Sequence, residues 1–143
     1  RLVYFLSSGY SNSEYYHHLT KEYEGNKIVM APEFTMNTGI SYTQAIKSSL
    51  FKSFTATTSV TGFGTQYFDE ANTMKQDPYF LWNMDLGISG KHIDFHVWGK
   101  NILDKNFFCY MFNSPVGNNL PEYMKSGQSG APSRFGASIT IKL

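Results

Sequence analysis

The sequence predicts an all-β protein, and more narrowly the wall of an antiparallel transmembrane β-barrel. Three observations lead to this prediction. Apolar and polar residues alternate with a period of two along several segments, these segments are long, and the connections between them alternate between short and long. The composition agrees, because aromatic residues reach 17% while charged residues stay at 16%, against roughly 25% charged residues in a typical soluble domain. This balance is typical of a surface that is apolar on one side only.

Several classes of protein are excluded by composition. A net charge of +1 does not provide the basic surface that nucleic-acid binding requires. No apolar run approaches the ~20 residues of a membrane helix. Cys109 is the single cysteine, so the chain cannot form a disulfide framework of its own. The chain starts in an apolar stretch without an initiator Met, and we therefore expect it to continue a longer protein.

The alternation is clearest in the last segment, residues 135–143. Phe135, Ala137, Ile139, Ile141 and Leu143 share one side, and Gly136, Ser138, Thr140 and Lys142 share the other. The same pattern predicts five earlier strands. Their approximate limits are residues 2–16, 34–43, 52–66, 82–89 and 92–98. Most of these segments meet the ~9–11 residues that a tilted membrane-spanning strand needs, whereas globular strands usually have about 5–6.

The connections between these strands predict which end of the sheet faces outward. Gly90 and Lys91 fit a tight hairpin turn in which Gly supplies a positive φ, and residues 42–51 form a modest turn. Residues 17–32, 67–78 and 109–133 are long and polar. Short turns at one end and long loops at the other are the layout of an outer-membrane barrel.

A soluble sandwich or lipocalin-like barrel remains an alternative, because alternation also suits an apolar face that points inward. The positions of the aromatic residues favour the membrane. Rings gather near the ends of several strands, as in Phe34 and Tyr42, or Tyr79 and Trp82. Aromatic girdles at both interfaces are expected in a transmembrane barrel. Six strands cannot close a barrel, since the smallest have eight, so we expect both edges to pair with further strands.

Four segments, taken in order, resemble the C-terminal barrel region of TonB-dependent receptors. Residues 25–32 are similar to a Gly-Asn…Ala-Pro segment, and residues 64–73 to a loop containing Asp-Glu-Ala-Asn-Thr. Residues 99–107 resemble the Asn-Leu-Phe-Asp-Lys signature of the penultimate strand, and residues 132–136 resemble Pro-Arg-x-x-Gly at the start of the last. The likeness departs where Ile102 and Leu103 replace Leu-Phe, where Phe107 replaces Tyr, and where Leu143 replaces a terminal aromatic residue.

The resemblance implies an architecture and a function. The architecture is a 22-stranded barrel with a plugged lumen, of which residues 1–143 form the last six strands, with the plug lying upstream and absent from this chain. The implied function is uptake of a scarce nutrient, such as a ferric siderophore, across the outer membrane of a Gram-negative bacterium. Implied partners are outer-membrane lipid, the upstream strands and plug, the small-molecule nutrient, and the TonB complex through the N-terminal part. Two alternatives stay open: a passive porin or structural barrel, and a soluble β-domain that binds an apolar ligand.

No group of residues predicts catalysis, so we expect no enzyme. Asp69, Glu70, Asp77 and Glu122 do not suggest a convincing acid pair. His92 and His96 share a strand face but would lie ~13 Å apart, too far to chelate one ion. His17 and His18 lie in a long loop, where a solvated pair is the expectation and contact with haem or a metal complex is the alternative. We expect no metal and no cofactor.

Aromatic residues of the long loops are the candidates for ligand contact. Their rings can stack on a bound solute, and the competing interpretation is interface anchoring and loop packing. The candidates are Tyr67, Phe68, Phe108, Tyr110, Phe112 and Tyr123.

Overall fold

The computed structural model describes residues 1–115 and 123–142, and only the backbone of Pro115 and Tyr123. Ten strands and one 3₁₀ helix, Lys21–Tyr23, make up its regular structure. The strands are β1 (Leu2–Tyr10), β2 (Phe34–Ala45), β3 (Phe51–Phe63), β4 (Gln66–Tyr67), β5 (Lys75–Gln76), β6 (Tyr79–Gly90), β7 (Ile93–Lys100), β8 (Phe108–Pro115), β9 (Tyr123–Ser129) and β10 (Arg134–Ile141). Within the described ranges, no helix has the length and hydrophobicity to cross a membrane.

Six of the strands form one antiparallel sheet in the order β1-β2-β3-β6-β7-β10. The other four form two small hairpins, β4-β5 and β8-β9, inside the connections. The prediction of an all-β, antiparallel structure built on six main strands is confirmed. The described sheet is open, with β1 and β10 at its edges.

The strand register gives the sheet two chemically different faces. Phe95 lies opposite Ile139, and Leu86 lies opposite Val97, so apolar residues meet across each pair of strands. We call the side that carries them the apolar face, and none of the residues that the register pairs on it is charged. Its large members are Leu2, Tyr4, Leu6, Tyr10, Phe34, Met36, Ile40, Tyr42, Phe54, Val60, Phe80, Trp82, Met84, Leu86, Ile88, Ile93, Phe95, Val97, Phe135, Ile139 and Ile141.

The apolar face is not packed into a protein interior. Ile139 and Ile141 are 64% and 70% exposed, and Phe95 is 40% exposed. A soluble sandwich or lipocalin-like barrel would bury these side chains against each other or a second layer. Among the described residues, no layer covers them.

Several polar side chains on the apolar face are hydrogen-bonded within it. The Thr38 hydroxyl donates to the Tyr4 hydroxyl at 3.0 Å, and the Trp82 indole Nε1 donates to Thr58 Oγ1 at 2.6 Å. Where no water is available, an unsatisfied polar group costs several kcal/mol. Internal pairing of this kind therefore suits a surface that faces hydrocarbon.

The connections separate into two ends, as predicted. Residues 46–50 and 91–92 form short turns at one end, and residues 11–33, 64–78 and 101–133 form the first, second and third long loops at the other. The second long loop contains β4-β5 and the third contains β8-β9, which are strands beyond the six that the alternation predicted.

Two local expectations were wrong. The first strand was expected to reach about residue 16, yet it ends at Tyr10, where Ser11 N–H turns to bond the Glu33 carbonyl at 2.9 Å. Gly90 was expected to supply a positive φ, but Gly25 is the one glycine with that conformation in the described ranges, at 85°. Gly90 is required for space instead, since a Cβ there would collide with the Leu50 carbonyl oxygen.

Candidate functional site

The side of the sheet opposite the apolar face, which we call the polar face, is rich in hydroxyl groups. Ser41 and Thr57 are hydrogen-bonded at 2.9 Å, and Thr43 and Thr55 at 3.3 Å. Such cross-strand pairs lie on neighbouring strands and hold the sheet together. They also make this side of the sheet hydrophilic.

The polar face carries charged groups on its last three strands. Asp85 on β6 lies 3.3 Å from Nδ1 of His96 on β7, and Asp94 lies 2.8 Å from Nζ of Lys142. Lys100 and Arg134 lie directly opposite each other in the register of β7 and β10. A groove of about 330 Å³ opens beside Lys100, and its lining also includes Thr57, Ser59, Asn83, Asp85 and Trp98.

The first and second long loops are joined by several hydrogen bonds, and the side chain of Asn72 makes two of them. Lys27 N–H donates to Asn72 Oδ1 at 2.7 Å, and Asn72 Nδ2 donates to the Lys27 carbonyl at 3.0 Å. Asn26 Nδ2 adds a bond to the Glu70 carbonyl at 2.8 Å. Asn72 itself has a φ of 56°, a left-handed conformation that Asn tolerates better than most residues. Segments 25–32 and 64–73, selected for their family likeness, therefore lock these two loops together.

Asp69 organises the second loop around its carboxylate. The carboxylate accepts hydrogen bonds from the Thr73 hydroxyl at 2.7 Å, from Met74 N–H at 2.7 Å and from Thr73 N–H at 3.2 Å. Burial opposes the charged form, but these hydrogen bonds outweigh it and lower the pKa of Asp69 below its ordinary value. Asp69 is thus a structural anion, and its bonds account for the placement of the loop.

Asn101 plays a corresponding part at the base of the third loop. It is 4% exposed, and its amide group donates to the carbonyls of Lys105 and Ala131 at 3.0 and 3.1 Å. Its Oδ1 accepts from Lys105 N–H at 2.9 Å, and its own N–H donates to Asn83 Oδ1 at 3.1 Å. The segment 99–107 therefore pins both ends of the third loop to the sheet.

An aromatic stack that sequence reasoning missed lies where the sheet meets the long loops. Tyr79 stacks on Phe107 at 4.5 Å and on Phe63 at 5.2 Å between ring centroids. Tyr79 is only 7% exposed. Phe63 and Tyr79 are opposite each other in the β3–β6 register, so strand pairing was the signal that could have revealed their contact.

The structure brings three of the predicted ligand-contact residues together. The ring of Phe68 meets that of Tyr110 edge-on at 6.3 Å, and Tyr110 stacks on Phe112 at 5.9 Å. Phe68 is 7% exposed and packs as a core residue of the loops, whereas Tyr110 and Phe112 are each 43% exposed. Exposed, mutually stacked rings are the two candidates best placed to touch a solute.

The remaining candidates are placed differently. Tyr67 lies in β4, where its carbonyl accepts from Met30 N–H at 2.8 Å. Phe108 is 40% exposed and its ring lies against Gly127. The side chain of Tyr123 lies outside the described part of the structure, as does Glu122.

The histidines do not form a metal site. In the described ranges, no group of three His, Cys, Asp or Glu residues is arranged to hold a metal ion. The side chain of His17 is 82% exposed, but that of His18 is only 16% exposed and lies 3.4 Å from Glu70. His18 Nδ1 accepts from Thr20 N–H at 3.0 Å, so the expectation of a solvated histidine pair holds for His17 alone.

Comparison with known proteins supports the fold. No family model matches the sequence. A similar solved structure is that of the ferric yersiniabactin uptake receptor FyuA from Yersinia pestis, with a TM-score of 0.70 and 18% sequence identity over 83% of this chain. The two chains share a fold. The match covers 17% of the receptor's chain, so this chain corresponds in length to a small part of that protein.

Proposed function

We propose that residues 1–143 are the C-terminal part of the barrel of an outer-membrane receptor that takes up a scarce nutrient, such as a ferric siderophore, with energy supplied through TonB. The observation that carries this proposal is the sheet with two opposite faces and all its long loops at one end. The family likeness of four segments and the fold shared with an uptake receptor support it.

The outer-membrane location is supported by the chemistry of the apolar face. Its register-paired strand residues are uncharged, many of its large side chains are exposed, and the side chains of Tyr4, Thr38, Thr58 and Trp82 are hydrogen-bonded within the face. Soluble monomers rarely expose apolar patches larger than a few hundred Å². Lipid chains would cover such a face, and pairing of polar groups within the sheet is what a membrane-spanning sheet requires.

The role of this chain is that of wall and outer loops. Strands β1 and β10 would pair with further strands of the same parent protein to close the sheet, because lipid does not tolerate an open edge. The plug and the TonB-contacting segment would come from the upstream part. The polar face would then line the lumen, and the exposed pair Tyr110 and Phe112 would meet the nutrient at the outer mouth.

Uptake by the full-length protein tests this proposal. Iron-restricted growth on a single supplied ferric siderophore would be compared in cells with the wild-type protein, cells lacking it, and cells that carry it without TonB. We expect growth in the first strain alone. Undiminished uptake without TonB would favour a passive porin, and undiminished uptake without the protein would refute the receptor.

A double variant tests the proposed contact between the loop aromatic residues and the ligand. Replacing both Tyr110 and Phe112 with Ala should weaken binding of an aromatic ligand, since an aromatic pair contributes about 0.5–1.5 kcal/mol beyond its buried area. Tyr16→Ala is the matched control, because Tyr16 is an 86% exposed aromatic residue of the first long loop, outside this pair. Equal binding by the double variant and the control would remove Tyr110 and Phe112 from the site.

A further inference from the structure

Among the residues that the structure describes, two cations of the polar face have no acidic partner. Six Asp, His, Lys or Arg side chains lie on this face along β6, β7 and β10 or directly after β10, and of these Asp85 pairs with His96 and Asp94 pairs with Lys142. The other two are Lys100 and Arg134, which occupy directly opposed positions at the end of β7 and the start of β10. Among the described residues, neither forms an ion pair.

Two carboxylates in the same part of the structure bond to other groups. Asp85 shares the groove with Lys100 but lies 3.3 Å from His96. Asp104 accepts a hydrogen bond from Ser133 N–H at 2.8 Å. Like charges directly opposite each other on neighbouring strands destabilise a sheet. An anion between the two cations would remove this repulsion.

An indole ring lies beside the two cations. Trp98 is the residue next to Lys100 on this face of β7. Its ring lies against Gly136, where a Cβ would collide with it. Lys100 Nζ lies 5.9 Å from the centre of that ring. The indole therefore has a fixed position beside the cations, at the edge of the 330 Å³ groove.

We propose that Lys100 and Arg134 bind an oxyanion, the carboxylate or phosphate group of a small solute that approaches from the long-loop end. Arg134 offers a planar fork that matches two oxygens, and Lys100 adds a point charge. Trp98 supplies an apolar ring for the remainder of the solute. The site does not depend on energy coupling, since an uptake receptor and a passive channel would both expose this face.

Calorimetric titration of the full-length protein in detergent, with inorganic phosphate and with citrate at constant ionic strength, tests the site. We expect the variant with both Lys100→Gln and Arg134→Gln to bind about tenfold or more weakly than the wild type. Lys105→Gln removes an exposed lysine of the third loop and should leave binding unchanged. Lys100→Arg keeps the charge and should retain most of the affinity.

Thermal unfolding provides a second measurement that does not need a measurable heat of binding. Phosphate should raise the Tm of the wild type above its value in chloride of equal ionic strength, because a ligand that binds only the folded state stabilises it. The double variant should lose this difference and remain folded, since it removes a repulsion. No phosphate or citrate binding by the wild type, or equal binding by the double variant, would overturn the proposal.

Discussion

Asn72 holds Lys27 by both of its backbone groups, with bonds of 2.7 Å and 3.0 Å. One side chain thus reproduces the pairing of a strand across 45 residues of sequence. Phe108 N–H donates to Gln76 Oε1 at 2.8 Å and Lys125 Nζ to the Thr73 carbonyl at 3.2 Å, so the third loop is bonded to the second as well. Uptake receptors and channels alike would need such loops to keep a defined mouth.

Replacing Asn72 with Ala should loosen the first and second loops. The change removes both bonds to Lys27 and places Ala at a φ of 56°, so we expect a loss of about 1–3 kcal/mol in local stability. Limited proteolysis and amide hydrogen exchange of the full-length protein would measure it. Asn106→Ala, at an exposed loop position, should leave both unchanged, and equal exchange in the two variants would contradict the expectation.

Asn101 should be sensitive to the loss of its donor group alone. Asn101→Asp keeps an acceptor for Lys105 N–H but cannot donate to the carbonyls of Lys105 and Ala131. We expect a loss of about 1–3 kcal/mol, measured by urea unfolding in detergent. Asn101→Gly, which tolerates the φ of 49°, should lose these two bonds and the one from Lys105 N–H as well, without backbone strain. Stability equal to the wild type in both variants would refute this role.

Acid should weaken the second loop through Asp69. The folded pKa lies below the ordinary value of 3.8, so the carboxylate stabilises the loop above that pH. The contribution is lost as the pH falls through the folded pKa. Protease sensitivity of the loop should rise below pH 3.8 in the wild type. Asp69→Asn should be sensitive already at neutral pH, whereas Asp77→Asn, at a side chain that is 72% exposed, should resemble the wild type.

A charge should be tolerated on one face of β3 and not on the other. Val60 lies on the apolar face and Ser59 on the polar face. β3 is hydrogen-bonded to β2 on one side and to β6 on the other. Lysine at the lipid-facing midplane of a barrel costs about 2–4 kcal/mol, while lumen positions tolerate it. The Val60→Lys and Ser59→Lys variants would be folded into lipid vesicles and unfolded with urea. Val60→Lys should be the less stable of the two. The opposite order would reverse the assignment of the faces.

Gly39 should not accept a methyl group. A Cβ there would collide with the backbone carbonyl oxygen of Thr58, which is held by the sheet, and would lie 2.9 Å from Ser59 Cβ. We expect Gly39→Ala to cost about 1–3 kcal/mol, as overpacking does elsewhere. At Gly9 the nearest atom to such a Cβ is Thr35 Oγ1 at 3.2 Å, so Gly9→Ala should cost less. Thermal unfolding of both variants checks the order.

The sequence predicted the main sheet because strand faces are set locally. In a strand, alternate residues point to opposite sides, so Phe135, Ile139 and Ile141 share a face whatever pairs beside them. The lengths of the turns and loops then predicted which end of the sheet carries the short turns and which carries the long loops. The limits of β1 were less predictable, since its end at Tyr10 depends on the Ser11–Glu33 bond to a distant residue.

The site was less accessible to sequence reasoning. Aromatic residues in the loops were identified, but burial separated Phe68 from Tyr110 and Phe112, and burial depends on the hairpin β8-β9. The motif residues Asp69, Asn72 and Asn101 were recognised by resemblance without a role. Their roles depend on backbone groups tens of residues away.

The sequence by itself determined that the chain forms long strands with one uncharged apolar side, because a period of two is a property of neighbouring residues. Only the tertiary structure decided which side chains meet across strands and loops. The Asp85–His96 pair, the opposed Lys100 and Arg134, and the Asn72–Lys27 lock all follow from register and loop docking. Strand register and loop docking depend on contacts between residues that are far apart in the sequence. A local sequence pattern therefore does not encode them.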